Sequence, residues 1–90
     1  MAKKDPIKAR VTVYPRQEIL DPQGQAIGGA LARLGYSQVR AVRAGKSFEI
    51  VLDGVDAERA RELLDEMGAK LLANPIVEDF HVECPAGELP

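Results

Sequence analysis

The chain has 90 residues, of which 46% are hydrophobic and 29% charged, with a formal net charge of −2 at pH 7. This length predicts one domain over residues 1–90, with flexible tails at 1–6 and 86–90. The near-neutral charge gives no indication of nucleic-acid binding, and no apolar run approaches the ~18 residues of a membrane span. The single cysteine excludes an internal disulfide, and the N-terminus lacks a signal-peptide core. These features predict a soluble cytoplasmic protein.

The first part of the chain has the pattern of a strand followed by a helix. Residues Ile7–Tyr14 alternate between apolar and polar, which predicts a half-buried strand that Pro15 ends. Asp21 is a favourable N-cap and Pro22 suits the first helical position, so a helix is expected to begin there and to end at Gly35. Its apolar stripe, at helical spacing, consists of Ile27, Ala30, Leu31 and Leu34.

The centre of the chain has the longest strand-like pattern, interrupted by a change of phase. Val39 is apolar at an odd position, whereas Phe48 and Ile50 are apolar at even positions. One unbroken strand cannot keep both sets on one face. We therefore predict two strands, Gln38–Ala44 and Ser47–Asp53, or one strongly bent strand. A tight turn or a bulge at Gly45 would produce the change of phase.

The last part of the chain has the pattern of a second helix and a final strand. Asp56 is the expected N-cap, and Asn74 ends the helix because the residue before a proline leaves the α region. The final strand is predicted over Ile76–Cys84, and Glu78 is an exception to its apolar face. The helix stripe consists of Ala60, Leu63, Leu64, Met67 and Leu71, and the strand's apolar face of Ile76, Phe80, Val82 and Cys84.

The order strand, helix, strand, strand, helix, strand predicts an α+β fold of the split βαβ, or ferredoxin-like, type. Its antiparallel sheet would carry both helices on one face, with the first strand between the third and the fourth. Basic residues Lys8 and Arg10 would then face acidic residues across the sheet. The outer face also carries four apolar residues, which predicts a surface for self-association. These residues are Tyr14, Val42, Val51 and Val77.

A catalytic constellation is not evident from the sequence. His81 and Cys84 have opposite parity on one strand, so they cannot form a local pair. The Gly45-Lys46-Ser47 triplet lacks the upstream glycine of a phosphate-binding loop and leads into a strand. No cluster has metal-ligand spacing. Three basic residues, Arg40, Arg43 and Lys46, surround the predicted turn and form either a solvated edge or a contact for an acidic partner or a phosphate.

Four sequence blocks resemble the PurS family. They are ILDPQG at 19–24, LGY at 34–36, VRAGKSFEI at 42–50 and LLANPIVEDF at 71–80, and the resemblance extends from about residue 7 to residue 84. PurS is the small subunit of phosphoribosylformylglycinamidine synthase, a carbon–nitrogen ligase of purine biosynthesis that takes its nitrogen from glutamine. The resemblance implies a non-catalytic chain that binds no cofactor, in a complex that uses ATP and magnesium.

The resemblance also implies partners. Family members form dimers or tetramers and bridge a large ligase-like synthetase subunit and a glutaminase subunit, so that ammonia passes between them. The alternative is a free-standing ACT-like module that binds a small regulatory molecule, because the order of strands and helices is shared.

Residues of the first and third blocks are the predicted partner-binding site. They are Asp21, Pro22, Gln23 and Gly24 in the first block, and Arg43, Gly45 and Lys46 in the third. Gly24 would leave the first helical turn bare, so that a partner surface could come close. Replacing Gly24 with Leu is therefore expected to weaken assembly with the large subunits while leaving the fold and the self-association intact.

Overall fold

A computed structural model describes residues 5–86 of the chain. Its elements are strand β1 (Ile7–Pro15), helix α1 (Pro22–Arg33), strand β2 (Lys46–Leu52), helix α2 (Ala57–Met67), a π-helical turn (Gly68–Leu72) and strand β3 (Glu78–Glu83). The predicted caps are confirmed: Asp21 caps α1, and the Asp56 side chain accepts a hydrogen bond from the Arg59 N–H of α2. Within the described residues, neither helix is long and apolar enough to cross a membrane.

The three strands form one antiparallel sheet in the order β2-β1-β3. Val11 of β1 lies opposite Phe48 on one side and Val82 on the other. This confirms the α+β, ferredoxin-like arrangement and the central place of the first strand. The expected charge pairing is also present, since Arg10 lies opposite Glu49 and Glu83 and its Nη1 is 3.8 Å from Glu83 Oε1.

The core lies between this sheet and α2. The inward side chains of β1, Ala9, Val11 and Val13, are buried against Ala60 and Leu64 of α2. Phe80, Val82 and Cys84 face the same core, as the alternation of the last strand predicted. Cys84 is 1% exposed, so its thiol is a small buried apolar group.

The predicted strand Gln38–Ala44 is not a strand in the structure. Residues 39–45 contain neither a turn nor a bend and continue directly into β2. The pairing of β1 with β2 is unbroken from Val13 and Lys46 to Ile7 and Leu52, so there is also no bulge. A Cβ on Gly45 would lie 2.8 Å from Cδ1 of Tyr14. Gly45 is therefore needed for close packing on β1, which is a different reason from the predicted turn or bulge.

The second helix changes its winding in its last turn. The Ala73 N–H donates to the Gly68 carbonyl at 3.0 Å, five residues back, which is a π-helical bond. This wider turn shifts the apolar stripe by one residue. Leu71, which the α-helical spacing placed on the core side, is 82% exposed, and Leu72 packs against the core instead. A Cβ on Gly68 would lie 2.6 Å from Cδ2 of Phe80, so the Phe80 ring occupies the space beside this turn.

The final strand begins two residues later than the sequence pattern indicates. Asn74 Oδ1 accepts a hydrogen bond from the Ile76 N–H at 3.1 Å, which holds a turn there. Ile76 is consequently 78% exposed and does not belong to the core face, which corrects that part of the prediction.

The position of helix α1 also differs from the predicted arrangement of layers. None of its residues belongs to the buried core or packs against it, although the sequence places both helices on the sheet. Its stripe is open, with Ile27 40% and Leu34 72% exposed. Val42, predicted on the outer sheet face, instead has its Cγ2 3.7 Å from the position of a Cβ on Gly28.

Candidate partner-binding site

The Asp21 carboxylate joins the two sequence blocks of the predicted site. Its Oδ1 accepts the Gly24 N–H at 3.0 Å, which caps α1. Its Oδ2 accepts the Ala44 N–H at 2.8 Å, which holds the segment leading into β2. One side chain therefore fixes the start of the helix and residues 42–46 in a single arrangement.

The electrostatics of this link favour the ionised form of Asp21. The Gly24 N–H, then the Ala44 N–H, and to a lesser extent the positive charge of Arg43 lower the pKa of Asp21, while partial burial opposes them. Each N–H bond is stronger when the acceptor is charged. The carboxylate is therefore ionised at neutral pH and keeps both bonds.

Contacts within the chain explain why residue 24 is a glycine. It is buried, and a Cβ there would lie 2.9 Å from Cγ of Asp21 and would overlap the carbonyl oxygen of Val42. The surface that approaches the first turn of α1 is thus the chain's own segment before β2. The expectation that Gly24→Leu leaves the fold intact does not fit this geometry, because the larger side chain would displace the Asp21 cap.

The two basic residues of the site contact neighbouring aromatic rings. The Arg43 guanidinium carbon lies 5.0 Å from the centre of the Tyr14 ring, and its Nη1 donates to the Pro15 carbonyl at 3.3 Å. The Lys46 Nζ lies 6.0 Å from the centre of the Phe48 ring. Both basic residues remain exposed, so they can also meet a partner.

A cleft of about 220 Å³ lies between the two blocks. Gln23 lines it from α1, Lys46 from β2 and Glu78 from β3. Pro22 is exposed beside Gln23 at the start of the helix. Of the predicted residues, Gln23, Gly45 and Lys46 line this cleft, and Pro22, in the first turn of α1, and Gln23 are exposed.

Glu78 is a member of the cleft that the sequence did not assign. Its signal was present, because it interrupts the apolar alternation of the last strand. Its Oε1 accepts the Asn74 N–H at 2.7 Å, so the carboxylate also holds the turn before β3. A polar residue at an expected core position of a strand is therefore a candidate site residue when it lies beside a cleft.

A second cavity, of about 370 Å³, lies beside the π-helical turn. Its lining includes the charged residues Arg16 and Asp79 and the apolar residues Ala73 and Phe80 beside Gly68. The Arg16 Nε is 3.4 Å from Asp79 Oδ1, and its Nη2 donates to the Pro75 carbonyl at 2.6 Å. The Nη2 contact is a hydrogen bond, whereas Nε is buried and has only the ion-pair contact, without a hydrogen bond in the described part of the chain.

The family model for PurS, described as phosphoribosylformylglycinamidine (FGAM) synthase, matches residues 8–86. The Mycobacterium leprae protein "Phosphoribosylformylglycinamidine synthase subunit PurS" is 45% identical over 75 residues, covering 83% of this chain and 91% of the relative. The Methanocaldococcus jannaschii protein of the same description is 36% identical over 76 residues, covering 84% and 92%.

Solved structures of PurS proteins have the same fold. The crystal structure of Methanocaldococcus jannaschii PurS matches with a TM-score of 0.77 at 33% identity, covering 90% of this chain and 98% of that one. A chain in the structure of PurLQS from Thermotoga maritima matches with a TM-score of 0.81 at 28% identity, covering 90% and 99%.

Proposed function

The chain belongs to the PurS family of phosphoribosylformylglycinamidine synthase, and on that premise we propose that it is the small, non-catalytic subunit of this ATP- and glutamine-dependent enzyme. The family match over residues 8–86 carries the proposal. The likeness to a chain of the Thermotoga maritima PurLQS structure supports a role within a complex. The ACT-like alternative is not favoured by these relatives. The same proposal places the chain in the cytoplasm.

The proposal assigns the chemistry to other subunits. Here His81 lies exposed on the outer face of the sheet and Cys84 is buried on the inner face, so the two cannot act together. ATP and magnesium would be bound by the large synthetase subunit, and glutamine by the glutaminase subunit. The role left to this chain is to hold those two subunits in the arrangement that lets ammonia pass between them.

The partner surface proposed for this role is the cleft between α1 and the start of β2. Gln23 and Lys46 line it, Pro22 and Arg43 are exposed beside it, and Asp21 and Gly45 hold its two walls in place. Exposed cations at an interface mainly orient and speed docking. The basic side chains would therefore meet an acidic surface of a larger subunit.

Reconstitution of the synthase with and without this chain tests the role. Amidation driven by glutamine should require the chain, whereas amidation driven by added ammonium salt should proceed without it, because no transfer between subunits is then needed. The purified chain alone should turn over neither glutamine nor ATP. Full glutamine-dependent activity in a mixture lacking the chain would contradict the proposed role.

A further inference from the structure

Glu78 lines both the cleft at the start of β2 and the cavity beside the π-helical turn. In the cleft of about 220 Å³ it is accompanied by Lys46. In the cavity of about 370 Å³ it is accompanied by Arg16 and Phe80. Because one side chain belongs to both linings, the two spaces adjoin at the end of the sheet where β3 begins. The cleft and the cavity are therefore neighbouring parts of one groove.

The Glu78 carboxylate has an unused acceptor where the two parts of the groove meet. Its Oε1 accepts the Asn74 N–H at 2.7 Å, which fixes the carboxylate in place. Its Oε2 has no hydrogen bond within residues 5–86. A charged oxygen that is held in position is a strong acceptor for the N–H of an incoming backbone.

Arg16 has unused donors in the cavity. Its Nη2 donates to the Pro75 carbonyl at 2.6 Å, and its Nε has only the 3.4 Å ion-pair contact with Asp79. Its Nη1 has no hydrogen-bond partner in the part of the chain that the structure describes. The side chain is 39% exposed, so a carbonyl oxygen from outside the chain can reach the guanidinium group.

Much of the remaining cavity lining is apolar. Ala73 and Phe80 contribute to it, together with Ala69 of the π-helical turn. Two large apolar side chains of the same segments are also exposed, Leu71 by 82% and Ile76 by 78%. An apolar cavity with exposed apolar residues close along the chain is typical of a place where a partner inserts an anchoring side chain.

The charges differ between the two parts of the groove. Lys46 lines the cleft, and Arg43 is exposed beside it. The cavity has one guanidinium group and two carboxylates, those of Arg16, Glu78 and Asp79. An acidic group is consequently favoured at the cleft and disfavoured in the cavity, where a neutral apolar group fits.

We infer that the groove binds one extended segment of a larger subunit, which places an acidic side chain at the cleft and an apolar side chain in the cavity. Between these two side chains, a backbone N–H of the segment donates to Glu78 Oε2 and a backbone carbonyl accepts from Arg16 Nη1. Extended backbone presents both kinds of group along its edge. The inference rests on the proposed subunit role and adds to it the cavity and the chemistry of the partner segment.

Filling the cavity tests the inference. Ala69 lines it and is exposed, so Ala69→Phe places a ring there without entering the core. We expect this variant to keep the melting temperature and the self-associated mass of the unchanged chain. It should assemble roughly tenfold or more weakly with the larger subunit, because the apolar anchor loses its place. Ala57→Phe, an exposed alanine at the start of α2, is the matched control and should assemble normally.

A single segment requires that the cavity and the cleft act on the same subunit. In the reconstituted mixture with ATP, magnesium and glutamine, a sizing column shows which larger subunit each variant fails to retain. Ala69→Phe and Lys46→Glu should lose the same one. Loss of different subunits would show that two segments bind and would overturn the inference, as would normal assembly of Ala69→Phe.

The unchanged chain distinguishes failure of this inference from failure of the subunit role. If it assembles and supports glutamine-dependent amidation, and Ala69→Phe does so equally, only the inference is wrong. If the unchanged chain assembles with neither larger subunit, the subunit role is wrong and the inference falls with it.

Amide hydrogen exchange of the unchanged chain measures the same contact without a substitution. The amides of residues 74–78, which precede and begin β3, should exchange more slowly in the assembled synthase than in the chain alone. Equal exchange in the two states would contradict the inference even if Ala69→Phe weakens assembly, because that variant would then act by distorting the π-helical turn.

Discussion

At the scale of single residues, Asp21 makes one hydrogen bond to its own helix and one to a segment far along the chain. Its role as an N-cap follows from the Asp-Pro dipeptide, whereas its bond to the Ala44 N–H requires a segment more than twenty residues away. Because both bonds lower the pKa of Asp21, the carboxylate contributes stability above its ordinary pKa of 3.8. That contribution is lost as the pH falls through the lowered value.

We expect Asp21→Ala to lower the melting temperature at pH 7, and the difference from the unchanged protein to shrink as the pH falls below 3.8 and through the lowered pKa of Asp21. Asp21→Asn should fall between the two at pH 7, since an amide offers one acceptor oxygen. The control is Asp53→Ala, an exposed residue with no hydrogen bond in the described part of the chain. If the decrease in melting temperature of Asp21→Ala does not vary with pH, the charge of Asp21 does not contribute to stability.

The glycines of α1 provide a second test at this scale. Gly24→Ala should destabilise the chain by roughly 1–3 kcal/mol, because the new Cβ meets the Asp21 cap and the Val42 carbonyl. Gly29→Ala should stabilise it by about 0.5–1 kcal/mol, since a Cβ there meets only the Arg33 guanidinium at 3.5 Å. Urea denaturation at one protein concentration measures both. Equal changes in stability for Gly24→Ala and Gly29→Ala would mean that helix propensity alone determines the effect of both substitutions.

The basic residues beside the cleft are tested by charge reversal. Arg43→Glu with Lys46→Glu should lower the melting temperature only slightly, through loss of the exposed Arg43 contacts to Pro15 and Tyr14, and should leave the self-association nearly unchanged, but weaken assembly with the larger subunits on a sizing column. Arg61→Glu with Lys70→Glu, two exposed residues of the second helical region, is the matched control. Normal assembly of the Arg43 and Lys46 variant would show that these side chains contact only solvent and do not bind a partner.

At the scale of elements, the π-helical turn decides which leucine stabilises the chain. Leu72→Ala should cost about 2 kcal/mol, because its side chain packs against the core. Leu71→Ala should stay within about 0.5 kcal/mol, since Leu71 is 82% exposed. The measurement is urea denaturation with the protein concentration held constant. The reverse order would mean that the last turn is α-helical.

The same element shows how packing overrides spacing. Regular 3.6-residue periodicity continues through Gly68 and selects Leu71. The Phe80 ring, on a different element, occupies the space that a side chain at position 68 would need. The wider turn then carries Leu72 to the core.

At the scale of the whole molecule, we predict from the exposed apolar stripe of α1 that the chain self-associates. Light scattering at micromolar concentration should give at least twice the 9.8 kDa chain mass. Leu34→Asp, within the stripe, should reduce that mass, because a carboxylate would be buried at the interface. Ala32→Asp, on the same helix but outside the stripe, is the control. A 9.8 kDa species for the unchanged chain would contradict self-association.

The sequence by itself determined the features that depend on near neighbours. The caps at Asp21 and Asp56 and the strand β1 follow from signals within a few residues, and the alternation in β3 identified Phe80 and Cys84 as core residues. The order of the elements was enough to place β1 at the centre of the sheet. The sequence blocks, read as a family resemblance, indicated the function.

Only the tertiary structure decided what depends on a distant partner. Residues 38–44 have the composition of a strand, but a strand forms only where a neighbouring strand exchanges hydrogen bonds with it, and within residues 5–86 no strand pairs with this segment. The Asp21 bond to Ala44 and the approach of Val42 to Gly24 join segments that no local pattern relates. Gly45 shows the same limit: the sequence indicated that a glycine was needed there, and the structure showed that the reason is the Val13 carbonyl and the Tyr14 ring of the neighbouring strand.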